Sequence, residues 1–328
     1  MDQQVEKKIN AFWSKKQLTH FRLRWWQSPH IIRHINEKVY GQPLDGFASG
    51  INQLAIELAR GKKFTKGISV GCGEGHKEMN LIRKGLVTHF DLYELAEARI
   101  ERGRELAHKY GLEDQVTFNQ GNAFEAVTQP GSYDFVHWNN SLHHMMNVED
   151  AVAWSHRILI AGGMFYMDDF IGPSRFQWTD RMLMVANRVR SALPVKYLIN
   201  PYATQVNEVQ GWKGYMKGVL RSIKRKLSAK YPLIGREIKR PSVESMIEMD
   251  PSEAADSANI LHQVKRFFPN AQITLTGGVI YHLVLNDILA NIDERTDRHL
   301  LDLLMIIDDL CSDLGENHYA TALAIKEK

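Results

Sequence analysis

Between Gly67 and Asn140 short apolar runs alternate with stretches of helical periodicity, and that alternation leaves few folds open. Strands separated by helices form βαβ units, so the expectation is a parallel sheet with helices on both faces. The strand candidates are 68–71, 88–93, 116–119, 135–139 and 164–170. Over 95–110, Ile100, Leu106 and Tyr110 recur at roughly helical spacing, and Gly111 is placed to end that helix. After Gly172 a helical stretch, basic in its second half, runs to Asp250. Patterning then returns as a helix over 258–268 and two strands, 273–276 and 279–286, with Gly277-Gly278 read as their hairpin turn. The expected organisation is an N-terminal helical segment (1–65), an α/β core (66–171), a helical cap (172–250), a helix and hairpin completing the core (251–290), and a C-terminal helix with a short closing element (291–328).

Composition narrows the class further. Two cysteines, Cys72 and Cys311, exclude a disulfide framework and a zinc ribbon. No apolar run is long enough to span a bilayer, and the polar start MDQQVEKKIN lacks a signal-peptide core, so a soluble cytoplasmic protein is expected. Ten Lys and Arg fall between Lys213 and Arg240 against one acid, Glu237, in a chain of net charge +3. The remainder is therefore acidic, and nucleic acid is not the expected partner.

Four polar segments fall at the ends of four successive strands. In an open parallel sheet those ends converge on one crevice, where ligands bind. The first is Ser69-Val70-Gly71-Cys72-Gly73-Glu74-Gly75, a turn whose glycines let a ligand lie against bare N–H groups. Its third glycine comes one residue too early for the dinucleotide pattern G-x-G-x-x-G, and Glu74 would repel a pyrophosphate. Glu94, nineteen residues past Gly75, stands where a carboxylate would hold a ribose diol, with Asp91 as the other candidate. Gly121-Asn122-Ala123-Phe124 offers a polar group and an aromatic face for a base, or is a simple loop turn. Last comes Trp138-Asn139-Asn140-Ser141-Leu142-His143-His144.

The run GISVGCGEG, Glu94, GNAFE, YDFVHWNNSLHHM and RILIAGGMFYMDDF resembles the successive motifs of class I S-adenosylmethionine-dependent methyltransferases. The resemblance implies a doubly wound, seven-stranded Rossmann-like sheet with an antiparallel last strand. It implies S-adenosylmethionine as cofactor, with Gly71, Cys72, Gly73 and Gly75 beside its methionine part and Glu94 and Leu95 at its ribose. Asn122, Ala123 and Phe124 would meet the adenine and Asn139 the region of the sulfonium. Asn122 departs from the family's usual Asp. WWQSPHIIRHINEKVYG, FIGPSRFQWTDR and RPSVESMIEMDPSEA resemble a bacterial subfamily that accompanies glycan assembly, although Ala255-Asp256-Ser257 stands where an Arg-Ser pair is usual. That subfamily implies polysaccharide biosynthesis and a small-molecule or glycan acceptor, with methylation of a sugar hydroxyl.

A hydroxyl acceptor must lose a proton, and His144, His143, Asp168 and Asp169 are the candidates to take it. Adjacent residues point apart, so one histidine should face the crevice, and the motif favours His144; the alternative is that it packs at the strand–helix junction. Asn139 and Asn140 stand where a metal site beside Asp168 and Asp169 would need a carboxylate, so no metal is expected. Arg175, Gln177 and Trp178 either bind an acidic or sugar acceptor or pin the cap to the core. His30 and His34 have no third ligand and read as solvent-facing; Trp25 and Trp26 read as core. Within 213–240, Met216, Val219, Leu220, Ile223 and Leu227 share one face: either a lid, or a contact for an anionic lipid-linked substrate or membrane surface. The rival functions are an RNA methyltransferase and a non-catalytic cofactor-binding scaffold.

Overall fold

The structure is a computed structural model that describes residues 8, 9, 12, 23–200, 233–235 and 237–328. The basic-segment residues from Lys213 to Lys230, including Met216, Val219, Leu220, Ile223 and Leu227, lie outside the described residues.

The apolar runs form strands β1 (Phe64–Val70), β2 (Val87–Glu94), β3 (Val116–Gln120), β4 (Tyr133–Asn139) and β5 (Leu159–Phe170). They pair in parallel in the order β3-β2-β1-β4-β5. Every residue of β4 is buried, as a central parallel strand covered on both faces requires. The pleat sends Ile68, Val136, Trp138 and Phe165 to one core and Phe64, Phe90, Phe135 and Tyr166 to the other. Helices cover the two faces: α1 (Pro29–Tyr40), α2 (Ser49–Ala59), α3 (His76–Arg83), α4 (Glu97–Tyr110), the single turn α5 (Ala123–Ala126) and α6 (Val148–Ile158). In the register Val70 stands beside Tyr93, Glu94 beside Gln120 and Asn139 beside Asp168, so the polar strand ends share one edge. The doubly wound, Rossmann-like class is the observed one.

Beyond β5 the cap contributes α7 (Asp180–Ala192) and α8 (Val243–Met249), and α9 (Ile260–Phe267) returns to the core. The expected hairpin does not form. Strand β6 (Gln272–Gly277) is followed by a π-helical turn, Val279–Val284, then α10 (Arg298–Asp313), and the last strand is β7 (Tyr319–Ile325). β7 runs antiparallel between β5 and β6. Gly277 and Gly278 do have positive φ (86° and 123°), but the cause is Asp308 of α10. Its buried carboxylate accepts the N–H groups of Gly278 (2.9 Å) and Ile280 (2.6 Å) and so winds VIYHLV into a helical turn. A Cβ on Gly277 would lie 2.0 Å from that carboxylate, which leaves glycine as the residue that fits.

A third core joins α1, α7, α10 and the π turn around Trp25, Phe170, Trp178 and Tyr281. Trp25 is therefore core, as expected, while Trp26 is half exposed. His30 and His34 do not face open solvent: they meet Asp302 (3.2 Å) and Asp309 (3.1 Å) of α10. Among the described residues no helix is long and apolar enough to cross a membrane.

Candidate functional site

The turn after β1 is tied to the end of β2. Gly71 and Cys72 donate their N–H groups to Tyr93 O (2.8 and 3.2 Å), and Gly73 N donates to Glu94 Oε2 (2.9 Å). The Glu94 Oε1 accepts from Leu95 N (2.8 Å) and Ala96 N (3.0 Å), so this carboxylate holds the two strand ends together. A carboxylate has about four lone-pair positions, and three of them take these backbone N–H groups. Asp91 instead accepts from the Tyr133 hydroxyl (2.7 Å), away from the turn. Gly71 has φ 67°, and a Cβ there would come 3.0 Å from Ser141 Cβ. Gly75 packs on Leu92 and Phe118 at the base of α3. Glu74 does not point into the turn. It accepts from Arg102 Nε (2.6 Å) and pairs with His76 (3.4 Å), so its charge is met outside. Glu94 lines a cavity with Glu125 and Asp150, and Arg99 and Arg157 bring positive charge to the same wall.

Gly71, Glu94, Leu95, Asn122, Ala123, Phe124 and His144 all line one cavity of about 620 Å³. Its volume is that of a site for a cofactor-sized molecule. Phe124 is held edge-on to Trp154 (4.8 Å between ring centres) and gives the cavity an apolar wall. The Asn122 side chain caps α5: Oδ1 accepts from Phe124 N (3.1 Å) and Nδ2 donates to Glu125 (2.8 Å). Its amide thus shapes the turn that presents Ala123 and Phe124. Cys72, Gly73, Gly75 and Asn139 are not among the residues that line this cavity. Burial raises the Cys72 thiol well above its ordinary pKa, with the Glu78 and Glu94 charges adding to the effect, so it is no thiolate nucleophile.

The β4 end is organised by Asp169. This buried carboxylate accepts from the backbone N–H groups of Ser141 and Leu142 (both 2.8 Å), His143 (3.3 Å) and Phe170 (2.8 Å), and from His143 Nδ1 (2.6 Å). Burial alone would raise its pKa, but the His143 charge and these donors hold it below the usual carboxylate range. Asp169 is thus committed to the loop and does not reach the cavity, contrary to a role as proton acceptor there. Burial pushes His143 down, and Asp169 outweighs burial and raises it. His144 lines the cavity, although the two histidines do not point apart as expected: their ring centres lie 4.2 Å from each other. His144 Nδ1 lies 3.0 Å from Ser252 Oγ, and burial followed by the His143 charge lowers its pKa to about 4. Asp168 points to the other side of β5, out of the cavity. Burial lifts it to about 6 against the pull of Lys77. Lys77 donates to Asn139 O (3.1 Å) and Oδ1 (2.5 Å), fixing Asn139 beneath the site.

Arg175, Gln177 and Trp178 do not line the cavity either. The Arg175 guanidinium donates to Glu253 O (3.0 Å) and Pro251 O (2.7 Å); Gln177 donates to Arg175 O (2.9 Å) and Pro241 O (3.0 Å). Trp178 is buried, stacked on Phe176 (4.9 Å) and packed on His318 (4.6 Å). These residues pin the cap to the core, the second of the two roles open to them. Sequence reasoning did not single out Ser141 or Ser252, which line the cavity, or Glu253 beside them. Ser252 and Glu253 arrive from a loop more than a hundred residues further on, and no local spacing signals that meeting.

Residues 68–167 match the family model described as a methyltransferase domain. Curated relatives include the 27-O-demethylrifamycin SV methyltransferase of Amycolatopsis mediterranei, 28% identical over 106 residues, covering 32% of this chain and 38% of that protein. The sterol 24-C-methyltransferase of Candida albicans is 22% identical over 244 residues, 70% of this chain and 62% of its own length. The chain thus spans less than two thirds of either relative. A solved geranyl diphosphate methyltransferase, in complex with GPP and sinefungin, matches across 98% of both chains with a TM-score of 0.50 and 13% identity, a likeness of fold.

Proposed function

We propose that the whole chain is an S-adenosylmethionine-dependent methyltransferase acting on a small-molecule acceptor. The observation that carries this reading is one cavity bounded by Gly71, the Glu94 carboxylate and the Ala123-Phe124 wall. The residues fit the cofactor: no side chain could replace hydrogen at Gly71 without crowding Ser141, and the Ser141 hydroxyl is buried without a partner beside it. When bound, the cofactor supplies a methyl group on a positively charged sulfur. In this reading Glu94 accepts one ribose hydroxyl, Phe124 covers the adenine, and the backbone of the Gly71 turn meets the methionine part. The carboxylate also disfavours a pyrophosphate ligand.

For the acceptor, the reading favours a hydroxyl on a molecule with an apolar body. Met145, Met146 and Trp154 extend the cavity wall, and one relative is named for an O-methyl transfer. A sugar, the acceptor implied by the subfamily resemblance, loses the support of Arg175 and Trp178, whose groups are engaged elsewhere. Holding the acceptor oxygen in line with the transferred methyl is worth about 7–11 kcal/mol of barrier. His144 is the side chain assigned to the acceptor oxygen. An imidazole of pKa about 4 is neutral at pH 7, with a lone pair to offer, but is a weak general base.

Calorimetry with S-adenosylmethionine and with NAD tests the cofactor. The expected result is saturable binding of the first alone, weakened by about 1.5–3 kcal/mol in Glu94→Gln, as for loss of hydrogen bonds to a charged group. Equal binding of NAD, or no effect of the substitution, overturns the reading.

A further inference from the structure

We infer that His143, His144 and Glu253 form a binding site for a divalent transition-metal ion, of the zinc type, on the wall of the cavity. One ligand atom from each of the three residues lies within 4.8 Å of the other two, and His143 Nε2 stands 3.6 Å from Glu253 Oε1. Two imidazole nitrogens and a carboxylate oxygen are the donor set of a three-ligand site that keeps a position open.

What distinguishes this cluster from a chance grouping is the support behind each ring. A metal-binding imidazole is normally oriented by an oxygen on its other nitrogen. Here His143 Nδ1 is bound by Asp169 at 2.6 Å, and Asp169 is itself fixed by four backbone N–H groups. Ser252 Oγ faces His144 Nδ1 at 3.0 Å. The Ser252 hydroxyl proton is directed to Asp250 Oδ1 (2.7 Å), so Ser252 accepts the Nδ1 proton of His144 and the lone pair of that ring falls on Nε2. Nδ1 of each ring is thus engaged by a fixed oxygen, and Nε2 is the nitrogen each ring would offer an ion. The backbone that carries Glu253 is held as well, by the Arg175 guanidinium on Pro251 O and Glu253 O.

The ligand set differs from the pair that sequence alone brings forward, Asp168 and Asp169. Asp169 supports a ligand, and Asp168 stands on the opposite face of β5. His144 and Ser252 line the cavity and His143 and Glu253 stand next to them, so an ion held there would lie beside the cavity. There the ion would polarise an acceptor oxygen, a task the weakly basic His144 performs poorly alone. That consequence rests on the methyl-transfer reading; the site itself does not.

The test is titration of the full-length protein with Zn²⁺ alone, followed by Co²⁺ as a visible-absorption probe, in wild type, His144→Ala, Glu253→Gln and His282→Phe. The expected result is one saturable equivalent in wild type and His282→Phe, with at least a tenfold loss of affinity in His144→Ala and Glu253→Gln. Glu253→Gln alters a partly exposed side chain, and an unchanged melting midpoint of its metal-free form shows that the fold is kept. Absence of saturable binding, or equal binding in all four proteins, overturns the site. S-adenosylhomocysteine affinity, measured in parallel, is expected to be kept in Glu253→Gln and His282→Phe, so that failure of the metal site and failure of the cofactor site give different results.

Discussion

Phe170 separates two histidine pairs that share a residue type and little else. On one side, 5.9 Å away, lies His143, with the tilted ring of His144 against it at 4.2 Å. On the other lie His282 (5.9 Å) and His318 (5.8 Å). The first pair is surrounded by oxygen: Asp169, Glu253, Ser252 and, through it, Asp250. The second is surrounded by rings and sulfur: Trp178, Phe176, Tyr319 and Met182. Burial lowers His282 to about 4 and His318 well below its ordinary value. In the first pair the carboxylates divide the two rings, raising His143 while His144 stays low. Burial decides whether a histidine is neutral; a placed carboxylate decides whether it can hold a charge.

The largest test of this contrast is Asp169→Ala. It removes a buried carboxylate, leaves four backbone donors and His143 without their acceptor, and should cost about 3–5 kcal/mol in denaturant unfolding. A loss under 1 kcal/mol would contradict the role given to Asp169. Next is the pH dependence of the ring-lined pair. The unfolded chain protonates His282 near pH 6.5 and the folded chain only near 4, so the unfolded state binds the extra proton between those values. Stability contributed by the neutral ring is therefore present above pH 6.5 and lost as the pH falls towards 4. Relative to His282→Phe, wild type should lose about 1.4 kcal/mol per pH unit in that window. His143 carries the opposite sign: its contribution is complete below pH 6.5 and fades as the pH rises through its higher folded pKa. Smallest is Gln177→Ala on the cap side, which should leave cofactor and acceptor affinity within twofold by calorimetry, because among the described residues its side chain bonds Arg175 O and Pro241 O, away from the cavity.

The same divide explains what could be read from the chain. Strands β1 to β5 and their ligand-facing ends follow from local pattern, because each strand, turn and helix of a βαβ unit is contiguous. Glu94 and the Gly71 turn are found that way. Asp308 acts at Gly277-Gly278 from thirty residues away, and nothing local in VIYHLV reveals that its backbone N–H groups have an acceptor there. The final strand was hidden for the same reason, since YATALAI finds its partners on both sides only after α10 has folded back. Glu74 misled in the other direction: its position in the turn is right, yet Arg102 draws its side chain outward. Arg175 and Trp178 sit in the loop expected over the crevice, but bind backbone and aromatic rings of the fold itself.

A crystal of the protein grown with S-adenosylhomocysteine would test the cofactor cradle most directly. Density is expected along the Gly71 turn, with a ribose oxygen within hydrogen-bond distance of Glu94 and the adenine against Phe124. Adenosine seated elsewhere, or a cavity that stays empty at saturating ligand, would contradict the account.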